Sequence, residues 1–257
     1  MRLRLIRNAT LRLEYAGRDL LLDPCLDDAR SWAPIEGILH ADVPSPLRPL
    51  PEPAERVVAG LDGVLATHLH VDHWDATARR LLPAAIPLAC QPADAAALHA
   101  QGFTAVRAVE GGSAAEWLGI ELQRTGGRHS AGPAAEALGP VSGFVLRAPG
   151  EPVLYVAGDS VWCEEVEQAL ARHAPDVVVL NCGAASLADG ERITMDAGDV
   201  ARVLEAAPAA IVVAVHFETV SHCVLTREQL RAALPGAPGA PARLRVPDDG
   251  ETLLLSL

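Results

Sequence analysis

Residues 2–7 and 10–15, "RLRLIR" and "TLRLEY", alternate apolar and polar positions, the period of two that marks a half-buried strand. Asn8, in "RNAT", reads as a turn former between them. A second turn falls at Ala16 and Gly17, and "RDLLLDP" then runs as a buried strand into Asp23 and Pro24. Periodicity stops there. From Cys25 to Arg56 the chain is rich in proline, yet the strands on either side want to share one sheet. A long connection inside a compact domain is usually a lid or binding loop, and residues 25–56 are read that way.

Beyond Arg56 the pattern switches between short apolar runs and helical spacing. Strands are predicted over 61–70, 86–90, 105–109, 120–125, 143–148, 152–158, 176–182, 209–217 and 250–257. Helices are predicted over 74–83, 92–101, 162–173, 195–207 and 226–234. No composition break interrupts residues 1–257, so the reading is one α/β domain, sheet on sheet with helices outside.

Composition narrows the chemistry. Half the residues are apolar, enough for a full core. No apolar run reaches the length of a membrane span, and the first residues read as strand, not as a signal peptide. The five cysteines are scattered without a C-x-x-C pair, which points to reduced thiols and a cytoplasmic location. Every basic residue is arginine; without lysine, Schiff-base chemistry and a P-loop are excluded. A formal charge of −12 with no basic run argues against nucleic acid as a partner. The expected partner is a small molecule, anionic if Arg48 or Arg128 grips it. A membrane partner is not expected, and a homo-oligomer is left open.

The residues that carry chemistry sit in "THLHVDHWD", residues 67–75. His68 and His70 are two apart at a strand end; Asp72 and His73 follow in the loop, placed for a neighbouring point. Nitrogen and oxygen donors of this kind suit zinc, manganese or iron, at four to six per ion. Four donors do not complete two ions, so others are required. His129 follows a strand behind a glycine pair, Asp159 closes "LYVAGD", and His216 closes "VVAVH". Each terminates an apolar strand, where α/β sheets present their sites.

This set, H-x-H-x-D-H followed by a lone His, an Asp in "GD" and a lone His, resembles the metallo-β-lactamase superfamily over nearly the whole chain. "RNATLRLEYAGRDLLLDPCL", "TGGRHS" and "AVHFETVSH" look most like its ascorbate-6-phosphate-lactonase-like branch. The resemblance implies a four-layer αββα sandwich of two mixed sheets flanked by helices. One ion would take His68, His70 and His129; a second would take Asp72, His73 and His216, with Asp159 bridging. Asp23 would orient an imidazole from behind, its plainer reading being a strand-ending turn residue before proline.

Two divalent ions, Zn2+ or Mn2+ with iron as the other option, would lower the pKa of a bridging water from 15.7 to roughly 7. The resulting hydroxide would attack a small ester, lactone or phosphoester, with Asp72 and Asp159 as catalytic groups orienting it. His222 is the candidate for holding a substrate oxygen or protonating the leaving group. Iron would instead support an oxidoreductase, but the chain has no room for a flavin domain and both donor groups look complete. A nuclease would want a basic patch that is missing. His40, His99 and His173 are read as ordinary histidines, Cys182 as a buried small residue, and Trp74 and Trp162 as core or pocket wall.

Overall fold

The computed structural model describes residues 1–234, 236 and 240–256. The three opening strands form as expected: β1 (Arg2–Arg7), β2 (Thr10–Tyr15) and β3 (Arg18–Leu22). α1 (Ala54–Val57) precedes β4 (Gly63–Ala66), α2 (Ala76–Leu81), β5 (Leu88–Cys90), α3 (Pro92–Ala100) and β6 (Val106–Ala108). Then come β7 (Ala115–Trp117), β8 (Ile120–Thr125), α4 (Ala134–Leu138), β9 (Gly143–Arg147) and β10 (Leu154–Val156). The chain continues through α5 (Glu164–His173), β11 (Val177–Asn181), α6 (Ala197–Ala206), β12 (Ile211–Val215) and α7 (Arg227–Ala233). It closes with α8 (Ala240–Arg243), β13 (Leu244–Arg245) and β14 (Thr252–Leu254).

These strands make two seven-stranded sheets, ordered β14-β1-β2-β3-β4-β5-β6 and β13-β12-β11-β10-β9-β8-β7. Both are mixed: antiparallel hairpins on one side, parallel strands (β3 to β6, β10 to β13) on the other. Alternation explains the layering. Leu3, Leu5, Leu11 and Leu13 point into the central core and meet Phe144, Leu146, Val179 and Val213 of the facing sheet. Tyr15 crosses that core, its hydroxyl donating to Leu146 O at 3.0 Å and Pro152 O at 2.9 Å. The continuous apolar runs of the parallel strands are buried on both faces. Their outer sides pack under α2 and α3 on one flank and under α5, α6 and α7 on the other. The four-layer αββα expectation is therefore met.

Caps fix the helices that flank the site. Asp75 accepts from Ala78 N at 2.8 Å to start α2, and Thr226 with Gln229 forms a capping box on α7. Sequence reading missed β7, β13, α1, α4 and α8, all too short to show a period. The strand predicted over 61–70 ends at Ala66, so His68 and His70 lie beyond it in a turn. Trp74 and Trp162 pack with the flanking helices, and Cys182 lies in the outer core as expected of a buried small residue. The last residue of the strand predicted over 250–257 lies outside the described residues. Among the described residues no helix is long and apolar enough to cross a membrane.

Residues 25–53 carry no helix or strand yet are firmly tied down. Leu47 N donates to Thr219 O at 2.6 Å, Ser221 N to Ser45 Oγ at 3.0 Å, and Ile38 pairs with Leu187 in an isolated antiparallel bridge. The buried Arg7 guanidinium donates to the carbonyls of Cys25, Asp27 and Arg48, at 2.8, 2.9 and 2.9 Å. These contacts satisfy the polar groups that tie this stretch to the body of the domain.

Candidate metal centre

Four chain segments deliver donors to one edge of the sandwich, where the parallel strands end. A turn after β4, with His73 N donating to His70 O at 2.9 Å, folds Asp72 and His73 back toward His68. His129 follows β8 behind a closely packed glycine pair: a Cβ at Gly127 would stand 3.2 Å from Ser160 Oγ. Asp159 follows β10 through Gly158, whose φ of 67° and closeness to Ser142 O (2.6 Å from a built Cβ) exclude a side chain. His216 follows β12 directly. Asn8, Asp23 and His216 all have positive φ without being glycine. Asn8 is thus the expected turn former, and it also donates from Nδ2 to Asp72 O at 3.0 Å.

Two donor groups result: His68, His70 and His129, and Asp72, His73, Asp159 and His216, each with its ligand atoms within 4.8 Å of one another. Asp159 spans both, its Oδ1 3.3 Å from His73 Nε2 and its Oδ2 3.6 Å from His129 Nε2. Asn181, unforeseen from sequence, donates to Asp159 Oδ1 at 2.6 Å and fixes that carboxylate. His216 Nε2 lies 3.0 Å from Asp72 Oδ2.

The outward side of each imidazole fixes its tautomer. His70 Nε2–H donates to Leu138 O at 3.1 Å, His129 Nδ1–H to Ile193 O at 2.8 Å, and His73 Nδ1–H to Asp23 Oδ2 at 2.9 Å. Thr67 Oγ1 spends its proton on Asp23 Oδ2 at 2.8 Å and therefore accepts from His68 Nδ1–H at 3.1 Å. Cys223 Sγ can donate to His216 O at 3.5 Å while accepting from His216 Nδ1–H at 3.4 Å. Five inward ring nitrogens then converge with two carboxylates, Nε2 of His68, His73, His129 and His216 and Nδ1 of His70.

His70 Nδ1 is 3.1 Å from His68 Nε2 and 3.2 Å from His129 Nε2. Bare nitrogens that close repel one another, whereas nitrogens on one tetrahedral zinc, each at about 2.0–2.1 Å, stand roughly 3.3 Å apart. His73 Nε2 is buried without any hydrogen-bond partner, as a donor reserved for a cation would be. The donor set fits two divalent ions.

Electrostatics in the cation-free cluster point the same way. Burial pulls His68 and His129 below the ordinary histidine value. Burial alone would also lower His73, but Asp159, Asp72 and Asp23 outweigh it and raise it to about 10. His216 is raised well above its usual value against burial, chiefly by Asp159. Burial pushes Asp72 and Asp159 up, but the neighbouring histidines, His73 foremost, outweigh it and hold both well below the usual carboxylate range.

The cluster opens into a cavity of about 350 Å³. Ile35 and Ile38 from the tied-down loop, Val71, Ala137 and Leu138 of α4, and Leu187 and Ile193 make an apolar wall; His222 and Glu36 add polar groups. His222 is buried, its Nδ1 lacks a partner, and burial lowers its pKa to about 4. Neither arginine named above lines the cavity: Arg48 pairs with Glu218 at 2.7 Å and Arg128 with Glu165 at 3.1 Å. A larger cleft of about 620 Å³, lined by Glu116, Glu121 and Arg147, lies apart from all seven donors. The structure brings together the seven residues singled out from the sequence; Thr67, Asn181, Cys223 and α4 were not foreseen, because their roles are set by contacts between distant segments.

Residues 18–217 match the family described as "Beta-lactamase superfamily domain". A UPF0173 protein, YddR of Bacillus subtilis, is 36% identical over 249 residues, covering 96% of this chain and 97% of its own length. The crystal structure of an isothiocyanate hydrolase from Delia radicum gut bacteria covers 100% of both chains at 35% identity and a TM-score of 0.93. The structure described as a possible metal-dependent hydrolase from Veillonella parvula covers 99% of both at 33% identity and a TM-score of 0.94. With the family match spanning most of its length and relatives similar from end to end, this chain belongs to the beta-lactamase superfamily, as an enzyme of its metal-dependent hydrolase group.

Proposed function

We propose that this enzyme hydrolyses a small, neutral, apolar electrophile of the isothiocyanate type, using two divalent metal ions. The observation that carries the reading is the cavity wall: largely aliphatic, without an arginine, and opening directly on the donor cluster. Beyond the metal ions themselves such a wall offers an anionic lactone or phosphoester no arginine and one carboxylate, Glu36, so it favours a neutral substrate. The similar isothiocyanate hydrolase supports the same substrate class.

His68, His70 and His129 would hold one ion, and Asp72, His73 and His216 the other, with Asp159 between them. Zinc and manganese both suit an all-nitrogen and oxygen set, and iron is the third option. When bound, the ions supply Lewis acidity and a water ionised near neutral pH. Asp72 and Asp159, both held ionised, accept hydrogen bonds from the attacking water and aim it. His222 is neutral at pH 7, so it serves as a hydrogen-bond donor to the developing negative charge and not as a general acid. Water adds its oxygen to the central carbon of R–N=C=S, both its protons pass to nitrogen, and the C–N bond breaks to give R–NH2 and carbonyl sulfide.

The segment over residues 25–56 supplies Ile35, Glu36 and Ile38 to the wall, and we assign it the choice of R group. Five free thiols suit a reducing compartment. The test is elemental analysis followed by assay of amine release from an aryl isothiocyanate beside a lactone and a phosphodiester. Two equivalents of zinc or manganese with isothiocyanate turnover support the reading. Preference for the phosphodiester or lactone, or a single iron with oxygen uptake, overturns it.

A further inference from the structure

The two donor groups are anchored to different parts of the fold. His70 and His129 donate their outward N–H groups to Leu138 O and Ile193 O, and the side chains of both residues line the cavity. His73 is held by Asp23 and His216 by Cys223, neither of which lines the cavity. Two of the three histidines in the first group are therefore tied to the substrate wall, whereas its His68, through Thr67, and the imidazoles of the second group are tied to the core behind it.

A single side chain fastens that wall together. Glu191 Oε1 accepts from the buried Ser130 hydroxyl, next to His129, and from Ala134 N at 3.1 Å, the first residue of α4. Ser130 Oγ in turn accepts from Gly132 N at 2.8 Å. A Cβ at Gly132 would fall 2.6 Å from Glu191 Oε1, so glycine there is the condition for the contact. At its own end Glu191 belongs to the segment carrying Ile193, with Leu187 N donating to Glu191 O at 2.9 Å.

We infer that Glu191 is a positioning residue that clasps α4 and the 187–193 segment and so orients His70 and His129 for one ion only. This rests on the assignment of the two donor groups to two metal ions. Without the clasp, Ser130 and Ala134 N lose their shared acceptor, Leu138 O and Ile193 O are free to shift, and both imidazoles lose their aim. The group built on Asp72, His73 and His216 keeps all its anchors. Groups that hold a metal-binding imidazole from behind change metal affinity by roughly 10–100-fold when removed.

The experiment is titration of the chelated full chain with zinc against a chromophoric chelator, for wild type, Glu191→Ala and Glu191→Gln, with Tm of each chelated protein. Wild type is expected to take up two ions. Glu191→Ala weakens one of them about 10–100-fold and leaves the other within about two-fold. Glu191→Gln, whose amide oxygen still accepts from Ser130 and Ala134, stays near wild type. Should Glu191→Ala fail to fold, Ser130→Ala removes one arm of the clasp and gives a smaller shift of the same ion. Equal weakening of both ions, no change, or a Gln variant as impaired as Ala overturns the inference while leaving the metal reading intact. Wild type that takes up no ion overturns both.

Discussion

Asp23 and Thr67 are joined twice, Thr67 N–H donating to Oδ1 at 2.7 Å and Thr67 Oγ1–H to Oδ2 at 2.8 Å. The second bond turns the threonine oxygen toward His68 Nδ1, and the same Oδ2 accepts from His73 Nδ1 at 2.9 Å. One buried carboxylate thus orients an imidazole in each donor group. Asp23→Asn would point an amide N–H at donors on one side or the other. Affinity for both ions should fall, roughly 10–100-fold, when measured by chelator competition. Loss confined to one ion would show that the Thr67 relay does not matter.

The raised values of His73 (about 10) and His216 mean that the cation-free cluster carries protons at pH 7. Metal must displace them, so binding releases protons and tightens as pH rises. Calorimetry in two buffers of different ionisation heat should report proton release on zinc binding; zero release contradicts the charge state derived above. Stability runs the other way in the chelated protein. Between about pH 6.5 and 10 the folded His73 binds more proton than the unfolded one, so that contribution is present below 6.5 and lost as pH rises toward 10. Tm of chelated enzyme should therefore carry a component that falls over this window and is missing once zinc is bound.

Much of this was legible in the sequence because its signals are local. Alternation in β1 and β2, the apolar runs of β11 and β12, and seven donors at segment ends need only short windows of chain. What stayed hidden depends on tertiary contact. His68 and His70 were expected at the end of a strand and lie past it in a turn, presenting Nε2 and Nδ1, a difference set by Thr67 and Leu138. α4 is five residues long, too short for a helical period, yet supplies wall and hydrogen-bond acceptor alike. The 25–56 segment announced itself as a loop, but its proline content could not reveal the hydrogen bonds by which Arg7, Ser45 and Leu47 tie it to the domain.

Gly158 offers a sharp test of how the backbone aims Asp159. Any side chain there meets Ser142 O at 2.6 Å while the backbone holds φ at 67°. Gly158→Ala should cost about 1–3 kcal/mol or more from the backbone conformation alone. For a chain of this size that corresponds to a fall in Tm of roughly 2–4 °C per kcal/mol. Because Asp159 touches both donor groups, zinc uptake should weaken as well. An Ala variant with wild-type Tm and zinc affinity would contradict the close approach.

The last prediction separates the wall's two duties, holding substrate and holding shape. Ile38 bridges Leu187 through backbone hydrogen bonds, which survive side-chain replacement, while its side chain lines the cavity. Ile38→Ala removes three carbons from a half-buried position. At about 0.8 kcal/mol per fully buried CH2, a half-buried loss amounts to roughly 1 kcal/mol, or about a five-fold change. That contact exists equally before and during reaction, so the change should appear in KM with kcat kept. It should also depend on the substrate: KM rises for an aryl isothiocyanate that reaches the wall and holds for methyl isothiocyanate, which does not. A loss in kcat for both compounds would mean instead that the loop acts by positioning the donors, and the division between wall and reaction centre would have to be redrawn.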